Sequence, residues 1–385
     1  MAPHLARQPN RPTFGWDNLA GERACGLPAV DDLPHTRLLT SGRAALFAAM
    51  KALAVQAGDS VLAPSYHCPT LVAPLRAAGA AVQFYPLGPD GLPSLDAITP
   101  APRTRALVVA QLFGLPRSLA AIRAWCDARG IALVEDCAHS FFGQAGERPV
   151  GHWGDLATAS VSKFFPVSEG GLLASPKPLP AQALQPAGAR QQLKAWVDLL
   201  ERASEQGRLT GLNAPLRALF RLKNGPPRAP SSTGTPREMD EAEMMADCDL
   251  ARSEQVPPAL TRRLLKLPRA RIVTRRRAHY ETLYRLTLDL RGARPLLGAL
   301  PAQAAPYVMP LWVDEPEPVY AALRAAGCAV FRWDRVWPGV PDFHDDHGAR
   351  WRTQVLQLLC HQDLTEPMLA RTCDVLTQTL AKLPR

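Results

Sequence analysis

The chain has 385 residues, 47% of them hydrophobic, and carries 44 Lys and Arg against 35 Asp and Glu, a formal net charge of +9. The N-terminus lacks the apolar core of a signal peptide, and no stretch approaches the ~20 apolar residues of a membrane span. The eight cysteines contain no C-x-x-C pair, so neither a zinc site nor a disulfide framework is indicated. We therefore expect a cytoplasmic protein with reduced thiols and no metal.

Residues up to about 175 alternate between helix-like and strand-like segments. The predicted helices are Ser41–Val55, His67–Ala78 and Ser118–Ala128, and the predicted strands are Ser60–Ala63, Ala81–Tyr85, Ala106–Ala110 and Ile131–Val134. This alternation predicts an α/β fold with a mostly parallel central sheet flanked by helices. Ligands of such sheets bind at the carboxyl ends of the strands. Asp136, at one strand end, lies where chemistry is expected.

The pattern changes after residue 176. A helix is predicted around Gln191–Ala203, a long loop over 224–236, and helical segments from about Met239 to Tyr280, interrupted at Pro257-Pro258. The remaining predicted elements are strands Tyr307–Trp312 and Ala329–Phe331 and helices Val319–Ala326 and Glu366–Leu380. We therefore predict a large domain over residues 1–240 and a small C-terminal α/β domain over residues 241–385.

Lys163 carries the strongest chemical signal. It is followed by Phe164 and Phe165 and lies 27 positions after Asp136. An apolar setting favours the neutral amine, which forms a Schiff base with an aldehyde. A carboxylate can hold a proton on a pyridine nitrogen and turn the ring into an electron sink. Together the two residues predict pyridoxal 5'-phosphate (PLP) as cofactor.

Four ordered motifs carry a family resemblance. They are Ser41-Gly42-Arg43-Ala44-Ala45-Leu46, Gly58–Tyr66, Glu135-Asp136-Cys137-Ala138-His139, and Gly154-Asp155 followed by Ser160, Lys163 and Glu169-Gly170-Gly171. With them the chain resembles the DegT/StrS-type fold-type-I PLP-dependent aminotransferases from about Arg37 to the C-terminus. The resemblance implies a Schiff-base role for Lys163, a pyridine-nitrogen contact for Asp136, and a contact of His139 with the cofactor ring or its phenolic oxygen.

The phosphate of the cofactor is expected at the start of the first helix. The backbone N–H groups and dipole there attract an anion, so Gly42 and Arg43 are predicted phosphate ligands. The family places a hydroxyl before the lysine, commonly five residues earlier, which is Thr158; a shorter spacing selects Ser160, which we prefer from its local context.

Two segments depart from the family pattern. Cys68 stands where an aromatic residue stacks on the cofactor, so Tyr66 or His67 is expected to take that place. We select His67, with a buried structural histidine as the alternative. The family's N-Y-R segment, which reaches into the partner subunit, is replaced by Thr235–Met239, without asparagine.

The resemblance implies an aminotransferase that moves an amino group from an amino acid, with glutamate expected, to a keto-sugar nucleotide or related carbonyl compound. Polysaccharide or specialised-metabolite biosynthesis is the implied setting, and a homodimer the implied assembly. Lys163 distinguishes this chain from the family's dehydratases, which have histidine there. Elimination, decarboxylation or condensation on the same fold remains an alternative. A non-catalytic regulator or nucleic-acid binder is another, although no nucleic-acid-binding motif supports it.

Basic residues concentrate in one segment. They are Arg202, Arg208, Arg217, Arg221, Lys223, Arg228 and Arg237. Two interpretations stay open at this stage. One is a solvated positive surface, and the other is an anion site for a diphosphate or another phosphorylated carrier.

Overall fold

The computed structural model describes residues 7–224 and 239–383. Residues 35–175 form the strands β1 His35–Leu39, β2 Ser60–Pro64, β3 Ala81–Tyr85, β4 Thr104–Ala110, β5 Ala132–Asp136, β6 Gln144–Ala145, β7 Arg148–Pro149, β8 Leu156–Ser160 and β9 Gly171–Ser175. Seven of them make one sheet in the order β1-β9-β8-β5-β4-β2-β3, and β6 pairs with β7. The pairings β8-β5, β5-β4, β4-β2 and β2-β3 are parallel, and β9 is antiparallel to both its neighbours. The predicted α/β fold class is confirmed.

Helices cover this sheet and extend through the rest of the chain. They are α1 Gly42–Ala52, α2 Pro69–Ala77, α3 Ala120–Asp127, α4 Ala189–Glu205, α5 Asn213–Asn224, α6 Glu241–Asp247, α7 Ala259–Leu264, α8 Ala270–Thr287, α9 Pro316–Ala325, α10 His347–Gln354 and α11 Glu366–Leu380. Short 3-10 helices are Trp16–Asn18, Val30–Asp32, Leu95–Ala97, Leu112–Gly114 and Val161–Lys163. Within the described ranges, no helix is long and apolar enough to cross a membrane.

A second sheet lies in the C-terminal part of the chain. Its strands are β10 Ala293–Pro295, β11 Val308–Val313, β12 Val330–Phe331 and β13 Val355–Leu359, and it has the order β10-β11-β13-β12 with every pairing antiparallel. The N-terminal segment packs against this part, because Gln8 accepts a hydrogen bond from the Ala329 amide at 2.8 Å and donates one to the Met368 carbonyl at 2.6 Å. The domain division at residue 240 stays a prediction.

The start of α1 shows how the sequence fixes one element of the site. Ser41 has extended backbone angles and its hydroxyl accepts a hydrogen bond from the Ala44 amide at 3.2 Å, which caps the helix. The alanines that follow are buried against the sheet. The helix therefore begins at Gly42 with free amide groups directed at the sheet's carboxyl edge.

Candidate active site

A cavity of about 300 Å³ opens at the carboxyl ends of β2, β4, β5 and β8. The seven residues predicted from the sequence all line it: Gly42, Arg43, His67, Asp136, His139, Ser160 and Lys163. Residues from the chain's N-terminal and C-terminal parts, Arg11 and Trp333, line it as well. The topology therefore collects the predicted residues at the edge where a ligand site of an α/β sheet is expected.

Lys163 ends the short 3-10 helix that follows β8. Its ammonium nitrogen lies 5.1 Å from the centre of the Tyr307 ring. Burial lowers the pKa of the Lys163 amine, and the neighbouring Cys68 and Asp136 oppose that shift. A lowered pKa increases the share of neutral amine at neutral pH, which is the form that attacks a carbonyl group.

The backbone around Lys163 is held by two buried side chains from the C-terminal part. Arg276 of α8 is fully buried and donates to the Lys163 carbonyl at 2.6 Å, to the Pro306 carbonyl at 3.0 Å and to Gln362 Oε1 at 2.8 Å. Gln362 in turn donates to the Phe164 carbonyl at 2.8 Å. We call Arg276 and Gln362 the lysine clamp. Sequence reasoning missed it, because nothing separates Arg276 from the adjacent Arg275 and Arg277.

We expect Arg276→Met to destabilise the protein by about 3 kcal/mol or more, because three buried acceptors lose their donor. Urea unfolding monitored by circular dichroism measures the change. Arg285→Met is the matched control, since Arg285 lies exposed on the same helix. Equal stability of the two variants would contradict the importance of the clamp.

Asp136 and Glu135 are adjacent carboxylates with different surroundings. Asp136 Oδ1 accepts from the Ala138 amide at 3.0 Å and from Thr158 Oγ1 at 3.3 Å, whereas Glu135 accepts from Gln111 Nε2 at 3.1 Å and the Trp153 amide at 3.1 Å. Alternation along the strand directs them to opposite faces, and Asp136 is the one that lines the cavity. Burial raises the pKa of Asp136, and the Lys163 charge opposes the rise.

His139 is buried and lines the same cavity as Lys163. Its Nδ1 accepts a hydrogen bond from the Phe113 amide at 3.3 Å, and its ring centre lies 4.4 Å from that of Tyr307 and 4.8 Å from that of Trp333. Burial, and then the Lys163 charge, hold the pKa of His139 well below its usual value. The imidazole is therefore neutral, and because Nδ1 accepts, its hydrogen is on Nε2.

His67 is fixed by contacts of its own. Its Nδ1 lies 2.8 Å from the Pro64 carbonyl, its Nε2 accepts from the Trp337 amide at 3.1 Å, and its ring stacks on Phe84 with centres 5.3 Å apart. Burial lowers the pKa of His67 to about 4. These contacts favour the structural alternative over stacking on a cofactor. The ring of Trp333, which the sequence did not single out, lines the same cavity.

The start of α1 and the end of β8 are in close contact. A Cβ atom placed on Gly42 would lie 3.3 Å from Ser160 Cβ, so glycine permits this approach. Ser160 lines the cavity, whereas Thr158 donates to Asp136 and does not line it. The geometry thus favours Ser160 over Thr158 as a phosphate ligand. Arg43 also lines the cavity, and its charge opposes the rise that burial causes in the pKa of the Cys248 thiol.

These residues fit PLP. Lys163 supplies an amine of lowered pKa, Asp136 a buried carboxylate, and the start of α1 with Ser160 supplies donors for a phosphate. Each group therefore has a counterpart on the cofactor.

We expect Gly42→Ala to weaken PLP binding by about tenfold, because the added methyl group narrows the contact between α1 and Ser160. Fluorescence titration of the cofactor-free protein with PLP measures the dissociation constant. Ala44→Gly, which leaves this contact open, is the control. Unchanged affinity in the Gly42 variant would argue against phosphate binding there.

Among the described residues of the basic segment, the arginines have different surroundings. Arg208 pairs with Asp17 and with Asp363, each at 2.7 Å, and Arg217 donates to the Ser204 and Glu205 carbonyls. Arg202 lines a second cavity. Arg228 and Arg237 lie outside the described residues, as do residues 225–236 of the loop predicted over 224–236 and Thr235–Glu238 of the segment without asparagine.

The sheet order with one antiparallel strand, the lysine after β8 and the carboxylate at the end of β5 are features of the fold-type-I fold of PLP-dependent enzymes. Residues 33–216 match the model of the DegT/DnrJ/EryC1/StrS aminotransferase family. The match confirms the family resemblance over these residues, and with it the cofactor predicted from the sequence.

Curated relatives are similar over a limited region. The L-glutamine:2-deoxy-scyllo-inosose aminotransferase of Streptoalloteichus tenebrarius is 34% identical over 37% of this chain and 35% of its own length. The GDP-perosamine synthase of Vibrio cholerae is 28% identical over 37% of this chain and 40% of its own length. The matches thus span about a third to two fifths of these relatives.

Solved structures are similar over nearly the whole chain. The structure of DesI in the presence of its TDP-sugar product has a TM-score of 0.64 at 19% identity and covers 98% of this chain and 93% of its own. The 3-amino-5-hydroxybenzoic acid synthase structure has a TM-score of 0.61 at 17% identity, covering 92% of this chain and 88% of its own. At such identities the likeness establishes the fold.

Proposed function

We propose that the protein is a PLP-dependent aminotransferase that moves an amino group from an amino acid, with glutamate as the expected donor, to a keto-sugar nucleotide or related carbonyl acceptor. The observation that carries the proposal is the meeting of Lys163, Asp136 and the start of α1 in one cavity. The curated relatives support the acceptor class, because their names include a keto-cyclitol aminotransferase and a nucleotide-sugar synthase.

When bound, PLP supplies an aldehyde that takes up an amino group and a pyridine ring that withdraws electrons. Lys163 would provide the amine that holds the aldehyde carbon, and it would afterwards carry a proton from the α-carbon of the amino acid toward that carbon. Asp136 would hold a proton at the pyridine nitrogen. His139 would offer its Nε2–H as a donor to the cofactor, and Gly42, Arg43 and Ser160 would bind its phosphate.

The remaining predictions are part of the same proposal. They are a homodimer with the site between subunits, a cytoplasmic location, a large domain over 1–240 and a small domain over 241–385. The family match supports the dimer, because the resemblance to that family implies a homodimer. Size-exclusion chromatography with light scattering measures the assembly directly.

Absorbance spectroscopy tests the proposed reaction. The PLP-loaded protein is expected to absorb near the edge of the visible range and to lose that band when glutamate is added. Glutamate labelled with 15N at the amino group is then expected to transfer the label to a keto-sugar acceptor, detected by mass spectrometry. Release of ammonia or carbon dioxide without an aminated product would favour the lyase alternative.

A further inference from the structure

A second cavity, of about 290 Å³, lies between the N-terminal segment, α4 and β12. Four of its lining residues are arginines: Arg7, Arg11, Arg202 and Arg324. We call it the arginine cavity. Within residues 7–224 and 239–383, none of these four guanidinium groups forms an ion pair or a side-chain hydrogen bond. One acidic residue, Glu205, lines the cavity with them.

The lack of a direct ion pair within the described residues distinguishes these arginines from their neighbours. Arg208 and Arg271 each contact Asp363 at 2.7 Å, and both also pair with Asp17. Arg11, in contrast, has a pKa that burial lowers first and the charge of Arg202 lowers further, while Tyr307 and Asp198 oppose the shift. Two like charges are thus held close together in a partly buried place. Such an arrangement is unfavourable unless an anion compensates it.

The position of Arg11 is fixed by the residues on either side of it. The amide of Gln8 donates to the Gly327 carbonyl at 3.0 Å, and the Gln8 side chain is bonded to Ala329 and Met368. The Thr13 amide donates to Asp363 Oδ2 at 3.0 Å. The segment that carries Arg11 is therefore anchored at both ends, which preorganises the cation for a ligand.

The arginine cavity is connected to Lys163 through shared residues. Arg11 lines it, the 300 Å³ cavity that contains Lys163, and a third cavity of about 240 Å³. Lys163 and Ser162 line the third cavity too, while Asn10 and Phe331 are common to it and the arginine cavity. The three cavities are therefore adjacent, and Arg11 lies in the wall of each.

We propose that the arginine cavity binds the phosphorylated end of the carbonyl acceptor while the carbonyl group lies at Lys163. Guanidinium groups bind phosphate oxygens through paired N–H donors, and four cations against one acid select an anion over a neutral sugar. The inference rests on the proposed function and adds the residues that select a phosphorylated acceptor, chiefly Arg11 and Arg202. A free phosphate-bearing regulator would use the same chemistry.

The first test measures binding without turnover. Isothermal titration calorimetry with inorganic pyrophosphate, on the PLP-loaded protein, is expected to show binding that Arg202→Gln weakens at least tenfold. Arg221→Gln is the matched control, because Arg221 is exposed on α5 and does not line the cavity. Equal pyrophosphate affinity in wild type and Arg202→Gln would overturn the proposed site.

The second test distinguishes a phosphorylated acceptor from a free phosphate-bearing regulator as the ligand of the arginine cavity. Arg202→Gln is expected to raise KM for a dTDP-linked 4-keto sugar at least tenfold and to leave turnover of an unphosphorylated keto-cyclitol unchanged. Pyrophosphate is expected to compete with the dTDP-linked acceptor. Binding without competition would assign the cavity to a free anion and overturn the acceptor role.

The glutamate half-reaction distinguishes a failure of this inference from a failure of the proposed function. It is expected to proceed equally in wild type and Arg202→Gln, because it needs no acceptor. If wild type showed no half-reaction but still bound pyrophosphate through Arg202, the aminotransferase proposal would fall while the anion site remained.

Discussion

Lys163→Ala is expected to reduce transamination on the order of 10⁴-fold or more, the largest effect of any single substitution in the site. The variant loses the amine that bonds to PLP and the group that moves protons on the substrate. No other lysine of the described residues lines the cavity, so no neighbour replaces it. The effect should appear in kcat, since both roles belong to the chemical steps.

The measurement combines spectra with single-turnover kinetics. Lys163→Ala loaded with PLP is expected to lack the band near the visible edge and to show no rapid change with glutamate. Lys177→Ala is the matched control, because Lys177 is exposed and outside the cavity. A Lys163 variant that kept the band and the rate would require a different amine and would overturn the assignment.

Asp136→Asn is expected to lower kcat on the order of 10³-fold, because it removes the negative charge that holds a proton on the pyridine nitrogen. The substitution is nearly isosteric. Both hydrogen bonds that Asp136 receives, from Ala138 and Thr158, end on Oδ1, which an asparagine oxygen can replace. The fold should therefore tolerate the change, and the loss should be one of chemistry.

The melting temperature of cofactor-free Asp136→Asn checks that the fold is intact, and we expect it to match that of wild type within a few degrees. Glu135→Gln is the control, because we expect it to change stability and not kcat. Glu135 accepts from Gln111 and Trp153 and does not line the cavity, so its substitution should lower stability and leave kcat of the folded enzyme unchanged. A fully active Asp136→Asn enzyme would contradict the pyridine-nitrogen role.

Local signals in the sequence were sufficient for four of the seven strands of the large sheet and for the placement of the predicted site residues. Asp136 and Lys163 could be placed because each lies in a recognisable motif. The strands β1, β9 and β8, which lie side by side from one edge of the sheet, escaped prediction, and each is only five residues long. Helix α5, with Pro215 in its first turn, was missed within the turn-rich region.

What the sequence could not provide is the contribution of distant segments. His67 was selected for its position in a motif, but its environment is set by Trp337, 270 residues later. Trp333 and Arg11 line the site from the two ends of the chain and carry no local pattern of their own. Such contacts depend on tertiary packing, which propensity and periodicity do not report.

The lysine clamp has a consequence for the order in which the protein is made. Lys163 leaves the ribosome long before its partners, because Arg276 follows 113 residues later and Gln362 bonds to Phe164 across 198 residues. Closing loops of this length is entropically costly and comes late in folding. A nascent chain that has completed its parallel strands therefore still lacks the bonds that fix the lysine. Capture of PLP in its final geometry should await the segment after β13 that carries Gln362, so cofactor binding would indicate a chain whose synthesis is nearly complete.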